Sequence, residues 1–288
     1  MDKELYDKKV KCPICKNEFT TKKVKTSALR IDKRDTDLYV HYKTVNPYLY
    51  SVWVCPKCGY AAMEGKFNSI KKYHHNIITE NITSLWNPRD YGKKRNVDEA
   101  IQTHKLAIHE GNILNWEKSY IGGLALRLSW LYRLRRDKEL EIKFQKYALI
   151  IFTDCFSKEV FPMAGMDSIS MAYLIGELNR RFQNYEDSIK WFQTALKDPN
   201  IKRKKLVENM VRNQWSMAIE EYKEFKESDN QEEKYDKESD DENNDIEENK
   251  KLQEKNEKKQ KGRTEIESNS NGNRGSKIRK KLFFRGAL

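Results

Sequence analysis

Cys12-Pro13-Ile14-Cys15 and Cys55-Pro56-Lys57-Cys58-Gly59-Tyr60-Ala61 are the stretches whose reading decides the front of the molecule. A C-P-x-C pair folds as a tight knuckle in which two sulfurs point at one spot, and two such knuckles make a tetrahedral four-cysteine metal site. Four protein thiolates leave no coordination position for water or substrate, so the spacing predicts a structural Zn2+ held by Cys12, Cys15, Cys55 and Cys58. The knuckles stand 39 residues apart, so the segment between them must fold as a small module that brings its ends together. A redox C-x-x-C pair is disfavoured because no βαβ unit surrounds either knuckle.

Between the knuckles the pattern has period two. Val24, Thr26 and Ala28, then Leu38 to Tyr42, then Tyr48 to Val54 are rich in β-branched and aromatic residues, with a turn at Asn46-Pro47. From Lys66 the period becomes helical. Phe67, Ile70, His74, Ile77, Ile78, Ile82 and Leu85 fall on one face up to Asn87-Pro88, and helices follow over Val97 to Ile113 and Ser119 to Arg136. Asp137 and Asp167 are expected N-caps, and Asn184 with Asp187 reads as a capping box. Cys155 lies on an apolar helical face and reads as a buried small hydrophobe. A last helix carries Leu206, Trp215, Ala218, Ile219, Tyr222 and Phe225.

The expected class is mainly α: a β-rich, zinc-ribbon-like module over 1–65, a helical array over 66–226 and a disordered charged tail over 227–288. The tail holds 16 acidic and 15 basic residues with few apolar ones, too little to offset its ordering entropy. Before Glu227 there are 41 basic and 28 acidic residues, a net +13 that favours acidic partners. A codon bias towards Lys, Asn and Ile would produce the same charge. The polar start lacks a secretory signal, no apolar run reaches the roughly 20 residues of a bilayer span, and four of five cysteines have metal spacing. These point to the cytoplasm.

Gly176 to Tyr185 followed by Phe192, Ala195, Leu196 and Pro199 resembles a tetratricopeptide repeat, and Ser129, Tyr132 and Ala148 mark a looser copy. In that register Trp130, Arg133, Tyr173, Glu177, Arg180 and Arg181 line a concave face suited to an acidic peptide or protein partner. The two knuckles, Lys23-Val24-Lys25, Arg34 to Asp37, Tyr42, Asn46-Pro47, Tyr50, Leu126 to Arg133 and Gly176-Glu177-Leu178 together resemble a bacterial family of Clostridia and their relatives, domain of unknown function 2225. The resemblance covers residues 11 to about 225. It implies a zinc-ribbon-like head joined to tetratricopeptide-like helices, with no established activity.

An enzyme is not expected. Asp35, Asp37, His41, His74, His75, His104 and His109 come without a Gly-rich phosphate loop, a serine elbow or an H-E-x-x-H helix, and Asp35 and Asp37 read as braces for the loop over the metal. The leading expectation is an adaptor that works through protein contacts. The alternative is nucleic-acid binding by Lys16, Lys22, Lys23, Lys25, Arg30, Lys33, Arg34 and Lys43 interleaved with Tyr39, Tyr42, Tyr48, Tyr50 and Trp53. The basic, apolar stretch Lys277 to Arg285 suits weak contact with an anionic membrane surface, opposite in charge to the twelve acids of 227–248.

Overall fold

The computed structural model describes residues 3–229 and, beyond them, residues 247, 250, 251, 253, 255 and 258. Two hairpins carry the knuckles at their tips. Strands β1 (Leu5–Lys11) and β2 (Glu18–Val24) pair antiparallel from Leu5 opposite Val24 to Lys11 opposite Glu18, so the chain turns through Cys12–Cys15. Strands β5 (Val52–Val54) and β6 (Ala61–Met63) pair the same way around Cys55–Cys58. Between them in sequence, β3 (Ile31–Arg34) and β4 (Val40–Tyr42) form a third ribbon whose turn spans Asp35 to Tyr39. Each ribbon is a separate two-stranded sheet.

The first ribbon was not expected from the sequence, and the span read as strand over Tyr48 to Val54 is half helical. Its front, Pro47–Tyr50, is a 3-10 turn capped by Asn46, whose side chain accepts from the Tyr48 amide at 2.9 Å. A proline beside an Asx cap sets a turn before β-propensity can act. Likewise the apolar face over 67–85 is broken into α1 (Glu64–Phe67) and α2 (His74–Asn81), and Leu85 is left in solvent.

The remaining elements are helical: α3 (Val97–Ile113), α4 (Lys118–Arg135), α5 (Lys138–Cys155), α6 (Ser168–Arg181), α7 (Tyr185–Lys197) and α8, which begins at 205. Side-chain caps start several of them. Asn96 and Glu99 form a reciprocal capping box on α3, Asp137 accepts from the Leu140 amide and Asp167 from the Ser170 amide. Asn184 makes no such bond; its amide instead donates to Asn179 Oδ1 at 3.2 Å, so the expected box on α7 is absent. Cys155 is buried, as its place on the apolar face predicted.

Residues 1–223 form one compact unit and 224–288 a second. The first unit has a shared core: Val10, Trp53, Tyr60 and the buried knuckle cysteines pack with Ile78, Leu114 and Trp116 from the helical part. Arg95 ties the ribbons to α3 from inside, donating to the Tyr91 and Val52 carbonyls at 2.7 Å each and to Leu49 O at 3.2 Å. Of the tail read as disordered, 227–229 and the few described residues beyond are helical, while the rest, including Lys277 to Arg285, lies outside the described residues. Among the described residues no helix is long and apolar enough to cross a membrane.

Two consequences can be measured. A Cβ on Gly176 would lie 2.8 Å from the ring of buried Phe192. Gly176→Ala, worth a gain of about 1 kcal/mol in an exposed helix, should instead cost about 1–3 kcal/mol in urea unfolding. His104 is buried, with Nδ1 2.8 Å from Ala100 O and Nε2 3.0 Å from Ser51 Oγ, and burial pushes its pKa down to about 3. A depressed pKa means that the unfolded chain takes the proton first. The contribution is present above about pH 6.5 and is lost as pH falls from there towards 3. Between pH 7.5 and 5.5 the native protein should lose about 1 kcal/mol more than His104→Gln.

Candidate metal centre

The two knuckles repeat one hydrogen-bond pattern. Lys16 N donates to Cys12 O at 3.0 Å and Cys12 N to Asn17 O at 2.9 Å; Gly59 N donates to Cys55 O and Cys55 N to Tyr60 O, both at 2.9 Å. Each turn is completed by a left-handed residue, Lys16 with φ 62° and Gly59 with φ 81°. Lys16 tolerates this with its Nζ on Pro13 O at 2.7 Å. Gly59 has no choice, because the Trp86 ring occupies the space of a Cβ at 2.6 Å. Trp86 Nε1 donates to Pro56 O at 2.9 Å and Thr83 Oγ1 to Cys58 O at 3.0 Å, so the segment after α2 grips the second knuckle from behind.

Four sulfurs converge as a result. The Sγ atoms of Cys12, Cys15, Cys55 and Cys58 lie within 4.8 Å of one another, and Cys12–Cys58 and Cys15–Cys55 are each 3.6 Å apart. A disulfide needs about 2.05 Å, whereas a tetrahedron with metal–sulfur bonds of about 2.3 Å has edges of about 3.8 Å. The donor set fits a metal ion that prefers tetrahedral thiolate. Contact between the sulfurs divides their protonation: the Cys12 thiol is pushed up to about 12, first by Cys55, Cys58 is pushed up by Cys12 and Cys55, and Cys55 is pulled down by the hydrogen bonds of Cys12 and Cys58. Four thiolates cannot share this space without a cation among them.

The residues expected to line a concave groove also converge, but the face is not open. The turn of the β3–β4 ribbon fills it. Asp37, fully buried, is held by the Arg133 guanidinium, by Arg181 Nη1 at 3.3 Å, by Trp130 Nε1 at 3.2 Å and by Gln145 Nε2 at 3.1 Å. Arg133 also donates to Asp35 Oδ2 and Glu141 Oε1, at 2.8 Å each. Thr36 donates its hydroxyl to Glu177 and accepts from Arg181 Nη2 at 2.8 Å, while Tyr173 OH donates to Thr36 O at 2.7 Å. Arg180 faces Glu177 at 3.0 Å and Glu221 at 2.6 Å. Burial alone would raise the Asp37 carboxyl, but the Arg133 hydrogen bond and the Arg181 and Arg133 charges hold it below its ordinary value. Asp35 and Asp37 thus brace the helices and not the loop over the sulfurs.

The profile of domain of unknown function 2225, an uncharacterised protein conserved in bacteria, matches residues 5–218. The chain belongs to this family. An uncharacterised protein of Borreliella burgdorferi is 32% identical over 164 residues, which cover 50% of this chain and 58% of that relative. The chain thus spans less than two thirds of that relative's length. No solved structure matches.

Of the aromatic residues between the knuckles, Tyr39, Tyr50 and Trp53 belong to the core, at 1%, 4% and 4% exposed, whereas Tyr42 and Tyr48 are half-buried. Of the histidines, His104 is buried against Ser51 and Ala100, and His41 lies 2.9 Å from Asp35. The buried acids Glu110 and Glu141 and the cation Arg95 went unnoticed in the sequence. The Asn96–Glu99 box was the nearest signal to Arg95, and nothing local marks the other two. Removing the metal by chelation, or Cys55→Ser, should lower the melting temperature of residues 1–223 by about 10 °C or more in calorimetry. An unchanged melt after complete chelation would show that the sulfurs hold nothing.

Proposed function

We propose that the protein is a zinc-stabilised adaptor, in which the metal is structural and the arginine-lined face of the helices reads an acidic segment. The observation that carries this is the occupant of that face. Asp35-Thr36-Asp37, an acidic turn of the chain itself, already sits on Arg133, Arg181, Trp130 and Tyr173, with Glu177 holding Arg181 and the neighbouring Arg180. Charge-assisted, partly bidentate arginine–carboxylate bonds in a half-buried setting are the chemistry a partner's acidic peptide would use. The pairing of α4 with α5 and of α6 with α7 through small residues such as Gly122 and Gly176 supports the tetratricopeptide-like reading, since both glycines meet a phenylalanine of the paired helix.

Zinc is favoured over other ions by four thiolates at tetrahedral spacing. Protein purified under mild conditions should carry one equivalent by elemental analysis. A partner peptide competes with the internal turn, so weakening that turn should uncover the face. A labelled peptide of sequence Asp-Thr-Asp-Leu-Tyr should bind Asp37→Asn about tenfold more tightly than the native chain by fluorescence anisotropy, and adding Arg181→Ala should abolish the gain. Equal, negligible binding by all three proteins would leave the turn a purely internal brace and sink the adaptor reading of this face.

A further inference from the structure

A second site, remote from the sulfurs in chemistry, lies where the end of β6 and α1 meet the first turns of α4 and the connection from α5 to α6. There a cleft of about 610 Å3 is lined by Met63, Lys66, Tyr120, Arg127, Pro162 and Ala164 among others. That volume lies within the range of small-molecule sites, about 300–1,000 Å3. We propose that this cleft binds a small monocarboxylic acid with an apolar body, its carboxylate on Arg127.

The argument rests on a cation without an answer. Other arginines drawn into the fold are matched: Arg133 by Asp35, Asp37 and Glu141, Arg180 by Glu177 and Glu221, Arg181 by Glu177 and Asp37, and Arg95 by backbone carbonyls. Arg127 has no carboxylate partner among the described residues. Its one hydrogen bond runs from Nη1 to Gly123 O at 3.0 Å, a helical carbonyl one turn back. An inward guanidinium with most of its donors unspent is costly unless something supplies oxygens.

The acids on the cleft wall do not supply them. Glu117 is taken by Lys66, at 2.7 and 3.0 Å, and Glu159 accepts from the Ser119 amide and from Cys155 Sγ, both at 3.2 Å. Gly123 keeps the approach to the guanidinium clear, since a Cβ there would stand 3.3 Å from Nη1 and 3.0 Å from the Ala164 Cβ. The opposite wall is a closed turn, with Met163 N on Met166 O at 2.9 Å and Met166 N on Met163 O at 2.8 Å. Val160 stands at the mouth, 90% exposed, an apolar side chain with nothing over it.

These features fix the chemical class. One planar fork matches one carboxylate in bidentate fashion. Met63, Tyr120, Val160, Pro162 and Ala164 offer an apolar surface for the rest of the ligand, and Glu117 and Glu159 nearby disfavour a doubly charged phosphate. The acid is therefore held by one charge and by its body, and its neutral amide loses the first of these.

Calorimetric titration of the full chain tests this with phenylacetate and 4-methylpentanoate, their two primary amides and inorganic phosphate. At least one acid should bind with a dissociation constant of about 1 mM or better, and its amide about tenfold more weakly. Arg127→Met should erase the difference between acid and amide, and its melting temperature should equal or exceed that of the native chain, because a partnerless cation has been removed. Should that variant not fold, Val160→Asp decides: the exposed site leaves folding alone, and the added charge at the mouth should weaken the acid about fivefold and spare the amide. Failure of both acids to bind, acids and amides binding alike, or phosphate displacing the acid would each overturn the assignment.

Discussion

The β1–β2 ribbon buries Leu5, Val10, Thr21 and Val24, and β5–β6 is only three residues long in each strand. Two-stranded ribbons of this kind are marginal in water on their own. What makes them one object is the meeting of their tips at four sulfurs, which closes the 39 intervening residues into a loop. The tip geometry is prepared in advance by backbone, with the same two hydrogen bonds in each knuckle and a left-handed residue after each second cysteine. A metal entering such a site finds the donors ordered, so its binding free energy goes into folding the front of the molecule.

The second closure is electrostatic. Asp37 is withdrawn entirely from water, a placement that is destabilising unless each oxygen is answered, and here Arg133, Arg181, Trp130 and Gln145 from three helices answer it. Removing one partner of such a pair typically costs about 3–5 kcal/mol. Replacing the whole cluster by apolar residues is often neutral, so its value lies in register: it admits the ribbon turn in one orientation only. Tyr39, stacked near Tyr48 and Trp130 with ring centroids 5.7 Å away from each, carries the apolar half of the same contact.

Much of the helical part was legible because its signals are local. Asp137 and Asp167 cap the helices they were expected to cap, and the run from Val97 to Ile113 is helical over its whole length, since a cap and an apolar period act within one or two turns. The knuckles were legible for the same reason. The β1–β2 ribbon was not: Tyr6, Asp7, Lys8 and Lys9 are all exposed, so the strand shows no alternation, and its existence depends on a partner strand whose paired residues lie seven to nineteen positions away. The arginine face was readable as a face, from the spacing of Glu177, Arg180 and Arg181 along one helix. Its occupant was not, because Thr36 and Glu177 are 141 residues apart and nothing in either neighbourhood names the other.

The two closures act on the same stretch of chain. Asp35-Thr36-Asp37 lies between the knuckles in sequence, so when the sulfurs are joined the turn is confined to a loop whose ends are pinned against α2 and α3. Its arrival at Arg133 and Arg181 is then an intramolecular event over a short span, and its effective concentration at the helices is set by how closely the four sulfurs hold the two knuckles. Opening the clip lengthens the tether without touching any arginine contact. The hold of the acidic turn on the helices thereby depends on four sulfurs that the turn does not touch.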